Sequence, residues 1–454
     1  MADLENVKKD FVDLFDQAQN LLKDNSTEFI YNKRIEAFEN FKNLGIPRKH
    51  YNEEYKYLDF GPAFDHNYGV TLVKEEQKDD LEKMFECDVP ELNNNMVITV
   101  NGHFHKNVQL NNIPEDVIVC SFLEASIKYP DLIKKYYATT ADNTNDGLVA
   151  LNTSFAVDGV FVYIPKNSII EDPIQIIGIL NKDIDYMSHV RNLVVLEDNA
   201  QANIVFCDHA LTSKRFLTTS VTEVFIGENA NLDFCNIQNQ HNFTHQVNSV
   251  FYKQEQNSVL TTNTVTLHGG LIRNNISVLM DGKGCESNVY GLYLVDKNQK
   301  VDNSITVDHK YSDCLSNQLF KGVLDDTSLA NFSGKIIVRK DSQRTEAYQT
   351  NKNILLTDDA KVNTKPQLII DADDVKCSHG ATVGQIDEDA LFYLKARGIG
   401  EDEARMLLMH AFTDDVVRKI KFEPLRDKIS NLIESRLRGE LSKCHHCAVG
   451  CEKK

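Results

Sequence analysis

Apolar residues at the start of the chain recur at steps of three and four: Leu4, Val7, Phe11, Leu14, Phe15, Ala18, Leu21 and Leu22. That spacing follows the 3.6-residue turn and predicts an amphipathic helix. Ile35, Phe38, Phe41 and Leu44 mark a second helix, stopped by Gly45-Ile46-Pro47. From about residue 50 to 145 the pattern is mixed. Residues 96–100 read as a strand ending at the Asn101-Gly102 turn, and residues 122–136 as a short helix. Residues 1–145 are therefore expected to form an N-terminal helical and α/β (α+β) domain.

Between about 146 and 372 the pattern changes. Runs rich in Val, Ile, Tyr and Phe, such as residues 160–164, 174–180 and 192–196, alternate with Asn, Asp, Gly and Ser turns, and no convincing helix interrupts them. One turn pattern recurs. Leu196-Glu197-Asp198-Asn199-Ala200-Gln201-Ala202 is matched 30 residues later by Ile226-Gly227-Glu228-Asn229-Ala230-Asn231-Leu232. Leu324-Asp325-Asp326-Thr327-Ser328-Leu329-Ala330 and Leu356-Thr357-Asp358-Asp359-Ala360-Lys361-Val362 repeat it 32 apart. Such a period, with strands in every unit, predicts a mainly β fold built on a parallel β-helix, a solenoid with one such turn per coil and inward side chains stacked in ladders. A β-sandwich would instead favour tight hairpins at spacings of roughly 8–12 residues. No strict six-residue repeat supports the left-handed hexapeptide variant. The solenoid core is expected over 146–384.

After Ile370 helical spacing returns. Leu391, Phe392 and Leu394 lead to a stop at Gly398. Ala404, Leu407, Leu408, Ala411 and Phe412 form the next stripe, and Leu425, Ile429, Leu432, Ile433 and Leu437 a third after Pro424. Residues 385–440 are expected to be a C-terminal helical domain that covers the solenoid end and offers a surface to a partner. Residues 441–454 form a Cys/His-rich tail.

Composition narrows the function. The chain has 67 acidic against 49 basic residues, a formal net charge of -18, so phosphate backbones repel it and no nucleic-acid partner is expected. No apolar stretch approaches the roughly 18–20 residues of a membrane span, and Met1-Ala2-Asp3-Leu4-Glu5 lacks the basic and apolar regions of an export signal. The expected protein is cytoplasmic, with no membrane partner. Its ten cysteines then read as free thiols, most of them buried.

Common catalytic motifs are missing: no P-loop, no Gly-x-Gly-x-x-Gly after a strand, no Gly-x-Ser-x-Gly and no His-Glu-x-x-His. No enzymatic turnover and no bound nucleotide are expected, and any ATP-driven step must come from another protein. Two segments carry candidate ligands. If 373–380 is extended, the two-residue period puts Cys377 and His379 on one face, where a neighbouring imidazole lowers a thiol pKa. The bland alternative is a buried Cys beside a hydrogen-bonded His. In the tail, Cys444, His445, His446, Cys447 and Cys451 place five potential metal ligands within eight residues. They make half of a structural zinc signature, or a solvated tail with exposed thiols. His241 and His245 are four apart, but residues 247–252 beside them read as strand, so the two are not expected to share a helical face. His103 and His105 read as exposed polar residues alternating on a strand, and residues 74–83 as a solvated charged face.

Five stretches taken together resemble the SufB/SufD family of iron–sulfur cluster assembly proteins. They are 320–326 (Phe-Lys-Gly-Val-Leu-Asp-Asp), 345–356 (Thr-Glu-Ala-Tyr-Gln-Thr-Asn-Lys-Asn-Ile-Leu-Leu), Lys365-Pro366-Gln367-Leu368, 372–384 (Ala-Asp-Asp-Val-Lys-Cys-Ser-His-Gly-Ala-Thr-Val-Gly) and 389–399 (Asp-Ala-Leu-Phe-Tyr-Leu-Lys-Ala-Arg-Gly-Ile). Gly45-Ile46-Pro47 followed by Glu54-Tyr55-Lys56-Tyr57, with Tyr55 where Trp is usual, is nearer to the SufD branch than to SufB, as is Cys-Ser-His-Gly-Ala-Thr-Val-Gly. The resemblance implies a right-handed parallel β-helix, a scaffold that builds and transfers nascent clusters, and pairing with SufB through the β-helix cores. It also implies C-terminal helices that dock the ABC-type ATPase SufC. A transient iron–sulfur cluster is then expected at the subunit interface, with His379 as a ligand and Cys377 beside it. The tail is not part of the family pattern. Flavin binding by the complex, the cluster type, the sulfur donor and homodimer formation by the isolated chain stay open. The alternatives are a SufB-like paralogue in the same pathway, a zinc-binding interaction protein that uses the tail, and an exported β-helix enzyme acting on polysaccharide.

Overall fold

A computed structural model describes residues 4–48, 53–73, 89–105, 109–111, 113–142 and 144–439 of the 454-residue chain. The expected first helices form as α1 (Leu4–Asp24) and α2 (Glu28–Leu44), with Gly45 at φ 66° ending α2. Their aromatic faces meet: the Phe15 and Phe38 rings stack at 3.7 Å between centroids, and Phe11 packs edge-on against Phe41. A short α3 (Gly61–Phe64) follows. The single helix expected over 122–136 is two, α4 (Phe122–Lys128) and α5 (Pro130–Tyr136). Pro130 disfavours the helical conformation at Tyr129, and the break falls there.

One helix was not expected. α6 (Gly147–Phe155) lies within the stretch read as free of helix, and Phe11 and Phe15 pack on its Phe155. All nine of its residues are buried. A helix enclosed on every side has no polar face, so it leaves no helical periodicity in the sequence.

Two sheets make the core. The first runs β5 (Ile118–Ser121), β6 (Val160–Ile164), β8 (Tyr186–Leu196), β10 (Phe216–Ile226), β12 (Thr244–Gln254), β14 (Leu271–Met280), β16 (Lys300–His309), β18 (Leu329–Val338) and β20 (Lys361–Ile370), with β1 (Gly69–Val70) paired to β8. The second runs β3 (His103–Phe104), β2 (Asn95–Val100), β7 (Ile174–Leu180), β9 (Gln201–Ala210), β11 (Asn231–Asn239), β13 (Val259–His268), β15 (Glu286–Val295), β17 (Leu315–Leu324), β19 (Thr345–Leu355) and β21 (Val375–Gly384), with β4 (Gln109–Leu110) paired to β2. From β6 onward consecutive strands alternate between the sheets and every pairing is parallel. The fold is a mainly β solenoid of about eight coils. Inward side chains stack coil on coil: Leu196, Ile226, Gln254, Met280, His309 and Val338 form one ladder, facing Ala202, Leu232, Leu260, Ser287, Ser316 and Ala347.

The recurring turn explains the choice of asparagine. Asn167, Asn199, Asn229 and Asn257 all have φ between 55° and 63°, a conformation Asn tolerates, and their amides bond in a file at 2.9, 3.3 and 3.2 Å. The expectation of one such turn per coil is corrected. The 196–202 and 226–232 turns lie where the chain passes from the first sheet to the second, whereas 324–330 and 356–362 lie on the opposite edge, where it returns. A coil has two strands and two edges, and the same motif serves both.

The C-terminal helices α7 (Glu388–Ala396), α8 (Glu401–Val417) and α9 (Glu423–Leu437) form, but they do not cover the solenoid end. Met409, Val416, Ile429 and Ile433 pack on the outer face of the second sheet, against Cys235, Val265, Leu292 and Val323. Two buried cations fix them there. Lys321 Nζ donates to Asp415 at 2.5 Å and to the Phe412 carbonyl at 2.8 Å, while Arg436 donates to the Leu267 carbonyl at 2.9 Å and to Asp296 at 2.7 Å. The buried stripe of α8 is Ala404, Met406, Met409, Thr413, Val416 and Val417; Leu407 and Ala411 of the expected stripe face outward. Apolar side chains nearly surround this helix, so packing rather than periodicity selects its face.

Candidate functional site

Because the C-terminal helices lie along the side of the solenoid, β20 and β21 each have, among the described residues, a neighbour on one edge only. Cys377 and His379 sit on β21. Register places Cys377 over Ala347 and His379 over Gln349, the inward-facing positions of the coil beneath. The expectation that the two share a face holds, and that face points into the bore, with their Cα atoms roughly 7 Å apart. Gln349 is 2% exposed and bonds Gln318 at 2.7 Å; the equivalent His379, with no coil above it among the described residues, is exposed. Lys376 and Ser378 face the other way, and Lys376 pairs with Glu346 at 2.8 Å.

Cys377 is half-buried and packs with Ile336, Val338, Ala347 and Ala372. Burial pushes its thiol up from the ordinary value. The hydrogen bond to the Ala347 backbone only partly offsets this burial, and no lowering by His379 enters. On the facing strand β20, Leu368 and Ile370 continue the inward ladders of Ile336 and Val338 and are left partly or fully exposed. The last coil therefore presents a cross-section of the solenoid interior: an apolar margin, two strands with unpaired edges, and a Cys/His pair. Among the described residues no third Cys, His, Asp or Glu completes a metal-holding group with them.

The tail residues Cys444, His445, His446, Cys447 and Cys451, and the charged run 74–83, lie outside the described residues. His241 and His245 do not meet on a helix. His245 is in β12, and His241 bonds the Thr212 carbonyl at 2.9 Å in the preceding turn. His103, on β3, and His105 are half-buried rather than exposed.

A second thiol constellation was not anticipated. Cys285 and Cys314, both 1% exposed, each follow a turn residue of positive φ, Gly284 and Asp313, and stack on adjacent coils with their sulfurs 3.2 and 3.4 Å from the Gly282 carbonyl. The adjoining Cys285 thiol and the His309 imidazole beside it hold the Cys314 thiol below its ordinary value despite its burial. A signal was present, since their 29-residue separation is one coil, but Gly and Asp replace the Asn that marked the other turns. No helix among the described residues is long and apolar enough to cross a membrane.

Comparisons with known proteins agree with this architecture. A family model described as SUF system FeS cluster assembly, SufBD core domain, matches residues 179–412, and one for the SufBD protein N-terminal region matches 5–176. An iron–sulfur cluster assembly SufBD family protein of Synechocystis sp. is 27% identical over 92% of this chain and 93% of its own length. Iron–sulfur cluster assembly protein SufD of Escherichia coli is 30% identical over 58% of this chain and 62% of that one, and SufD of Bacillus subtilis 25% identical over 71% and 74%. The core model alone spans more than half of the sequence, so the chain belongs to the SufB/SufD family of scaffold-type subunits in SUF-system iron–sulfur cluster assembly.

Proposed function

We propose that the chain is a cytoplasmic SufD-type scaffold subunit whose open last coil pairs with a SufB-type solenoid, and that the nascent iron–sulfur cluster is held at this junction. The observation that carries the reading is the unpaired edge of β20 and β21 with interior-type side chains exposed along it. Long uncovered edges are normally blunted in a free-standing protein, and here one more coil from a partner would satisfy the backbone groups and bury Ile370 and Val383. Pairing would also shut His379 and Cys377 away from water. With only two soft or borderline donors from this chain, the partner supplies the remaining ligands. Cluster binding would displace the proton that burial holds on Cys377, and one imidazole in place of a thiolate lowers the negative charge at iron and eases release.

The second surface is the outward side of the C-terminal helices. Phe392 is 73% exposed, more than any other large hydrophobic among the described residues, and Tyr393 and Leu407 are exposed nearby in the same helical domain. We assign this side to a SufC-type ATPase, whose hydrolysis would move the helices and, through Lys321 and Arg436, the solenoid wall.

Anaerobic co-purification with the SufB- and SufC-type proteins tests both surfaces. Iron and sulfide should be recovered with the complex and fall in His379→Ala, whereas undiminished iron in that variant sinks the ligand role. Ile370→Asp with Val383→Asp should abolish pairing with the SufB-type subunit. Phe392→Asp should release the ATPase alone, and an ATPase still bound would place its site elsewhere.

A further inference from the structure

Near the N-terminal end of the solenoid, under the β2–β3 turn, the two sheets enclose a chamber of about 60 Å³ with a mixed lining, apolar side chains such as Phe206 and Val250 beside a cluster of polar ones. One water needs roughly 10–15 Å³ of such space, so a small ion and a few waters fit. Asp208 of β9 points into it. A β-carbon on Gly178, one coil below, would lie 2.6 Å from Asp208 Oδ1, and one on Gly102 would lie 2.5 Å from Ser188 Oγ, so two glycines leave the space open. Asp208 accepts one hydrogen bond, from Gln246 Nε2 at 3.2 Å. Among the described residues no Lys, Arg or His lines the chamber.

Part of the remaining polar lining is satisfied, as where Asn192 donates to Thr222 at 3.2 Å, and part is not. Ser188 Oγ, Thr218 Oγ1, Gln240 Oε1 and Gln246 Oε1 are buried without a hydrogen-bond partner, and each belongs to a side chain at least nine-tenths buried. The Asn248 amide nitrogen is likewise buried without a partner, but four unpartnered oxygens and a carboxylate around one small space offer a ligand set dominated by oxygen. Hard cations prefer that set, and sulfur-seeking metals do not. A buried carboxylate with no protein counter-charge must be neutralised by a proton or by a bound cation. Burial raises the Asp208 carboxyl to about 6, so near neutral pH a proton alone leaves it largely ionised.

We infer that this chamber binds a single alkali-metal cation, sodium or potassium, coordinated by the Asp208 carboxylate and by the Ser188, Thr218, Gln240 and Gln246 oxygens. One negative charge matches one monovalent cation; a divalent ion would leave an uncompensated positive charge in the bore. The cation would tie β9 to β8, β10 and β12 and to the turn after β11, and so lock the first coils together where the solenoid meets the N-terminal domain. The site lies far along the chain from Cys377 and His379 and does not depend on their role.

Thermal unfolding of the full chain in sodium chloride, potassium chloride and choline chloride at equal ionic strength tests this. At saturation the preferred alkali ion should raise the melting temperature by about 2–4 °C over choline, and the Asp208→Asn variant should lose that response. Equal melting temperatures in the three salts, or a response retained in Asp208→Asn, would overturn the proposal. Should Asp208→Asn fail to fold, crystals of the unaltered chain soaked in rubidium or thallium(I) give a second readout. An anomalous peak within coordination distance of Asp208 supports the site, and water density alone refutes it.

Discussion

Glu223→Gln removes the group that stitches the N-terminal domain to the solenoid. Glu223 projects from the outer face of β10 and is completely buried. Its carboxylate accepts from Arg191 Nη2 at 2.6 Å and from the backbone N–H groups of Ala138, Thr139, Thr140 and Ala141 at 2.7, 3.0, 2.9 and 3.1 Å. Burial works against its charge, but Arg191 and these N–H groups outweigh it and hold the carboxyl below the usual range. Gln leaves Arg191, itself 1% exposed, without a counter-ion, which costs about 3–5 kcal/mol in buried pairs. It also replaces one acceptor oxygen by a donor, so part of the 138–141 loop loses its partner at about 1–3 kcal/mol per stranded group. Because these groups share one network the terms do not add, and the expected net loss is on the order of 5 kcal/mol. Urea unfolding followed by far-UV circular dichroism, with proteolysis of the 138–146 segment as a local probe, measures it. The decisive comparison is the double variant Arg191→Met, Glu223→Gln. If the ion pair were all that mattered, removing both charges would restore nearly full stability. With four loop N–H groups to satisfy, the double variant should stay several kcal/mol below the wild type. A double variant at wild-type stability, or a single variant down by less than about 1 kcal/mol, would falsify the anchoring role.

Three further outcomes are expected. Burial lowers His189 to about 3 and His209 and His268 to about 4 from an ordinary 6.5, so each contributes stability that is full above pH 6.5 and is lost as the pH falls from there toward 4. Each site has a limiting slope of about 1.4 kcal/mol per pH unit, so the urea midpoint should be clearly lower at pH 5 than at pH 7.5, and a flat profile would refute neutral burial. Arg436→Ala should cost about 3 kcal/mol and expose 400–437 to protease, because the Leu267 carbonyl and Asp296 lose their buried partner; unchanged cleavage would mean that apolar packing alone holds α9. His379→Ala should leave the unfolding midpoint of the isolated chain within about 0.5 kcal/mol of wild type, since the ring is exposed, so any loss of iron in the complex reports ligation and not folding.

Features that follow from spacing along the chain were legible without coordinates. Amphipathic α1, α2 and α9 announce one buried face each, and the strand runs with their Asn turns announce coils, because a positive φ at each turn restricts what can stand there. The shared face of Cys377 and His379 was readable for the same reason, a side-chain period of two. Features that depend on what lies across the fold were not. α6 left no pattern because every side of it is enclosed, and the face of α8 was misplaced because apolar residues occur nearly all round it. Cys285 and Cys314 become neighbours only when the coils are phased, and Asp208 meets Ser188 and Gln246 only when the two sheets close over one another.

By itself, then, the sequence determined the repeat, the alternation of inward and outward residues and the family to which they belong, since local periodicity and turn stereochemistry encode all three. The tertiary structure alone decided where the C-terminal helices dock, and hence that the coil bearing Cys377 and His379 ends the solenoid as an open edge. The reason is energetic: helices bury their apolar stripes on whichever surface offers the best-packed area, here the outer face of the second sheet with Lys321 and Arg436 as anchors, and no spacing along the chain specifies that surface in advance.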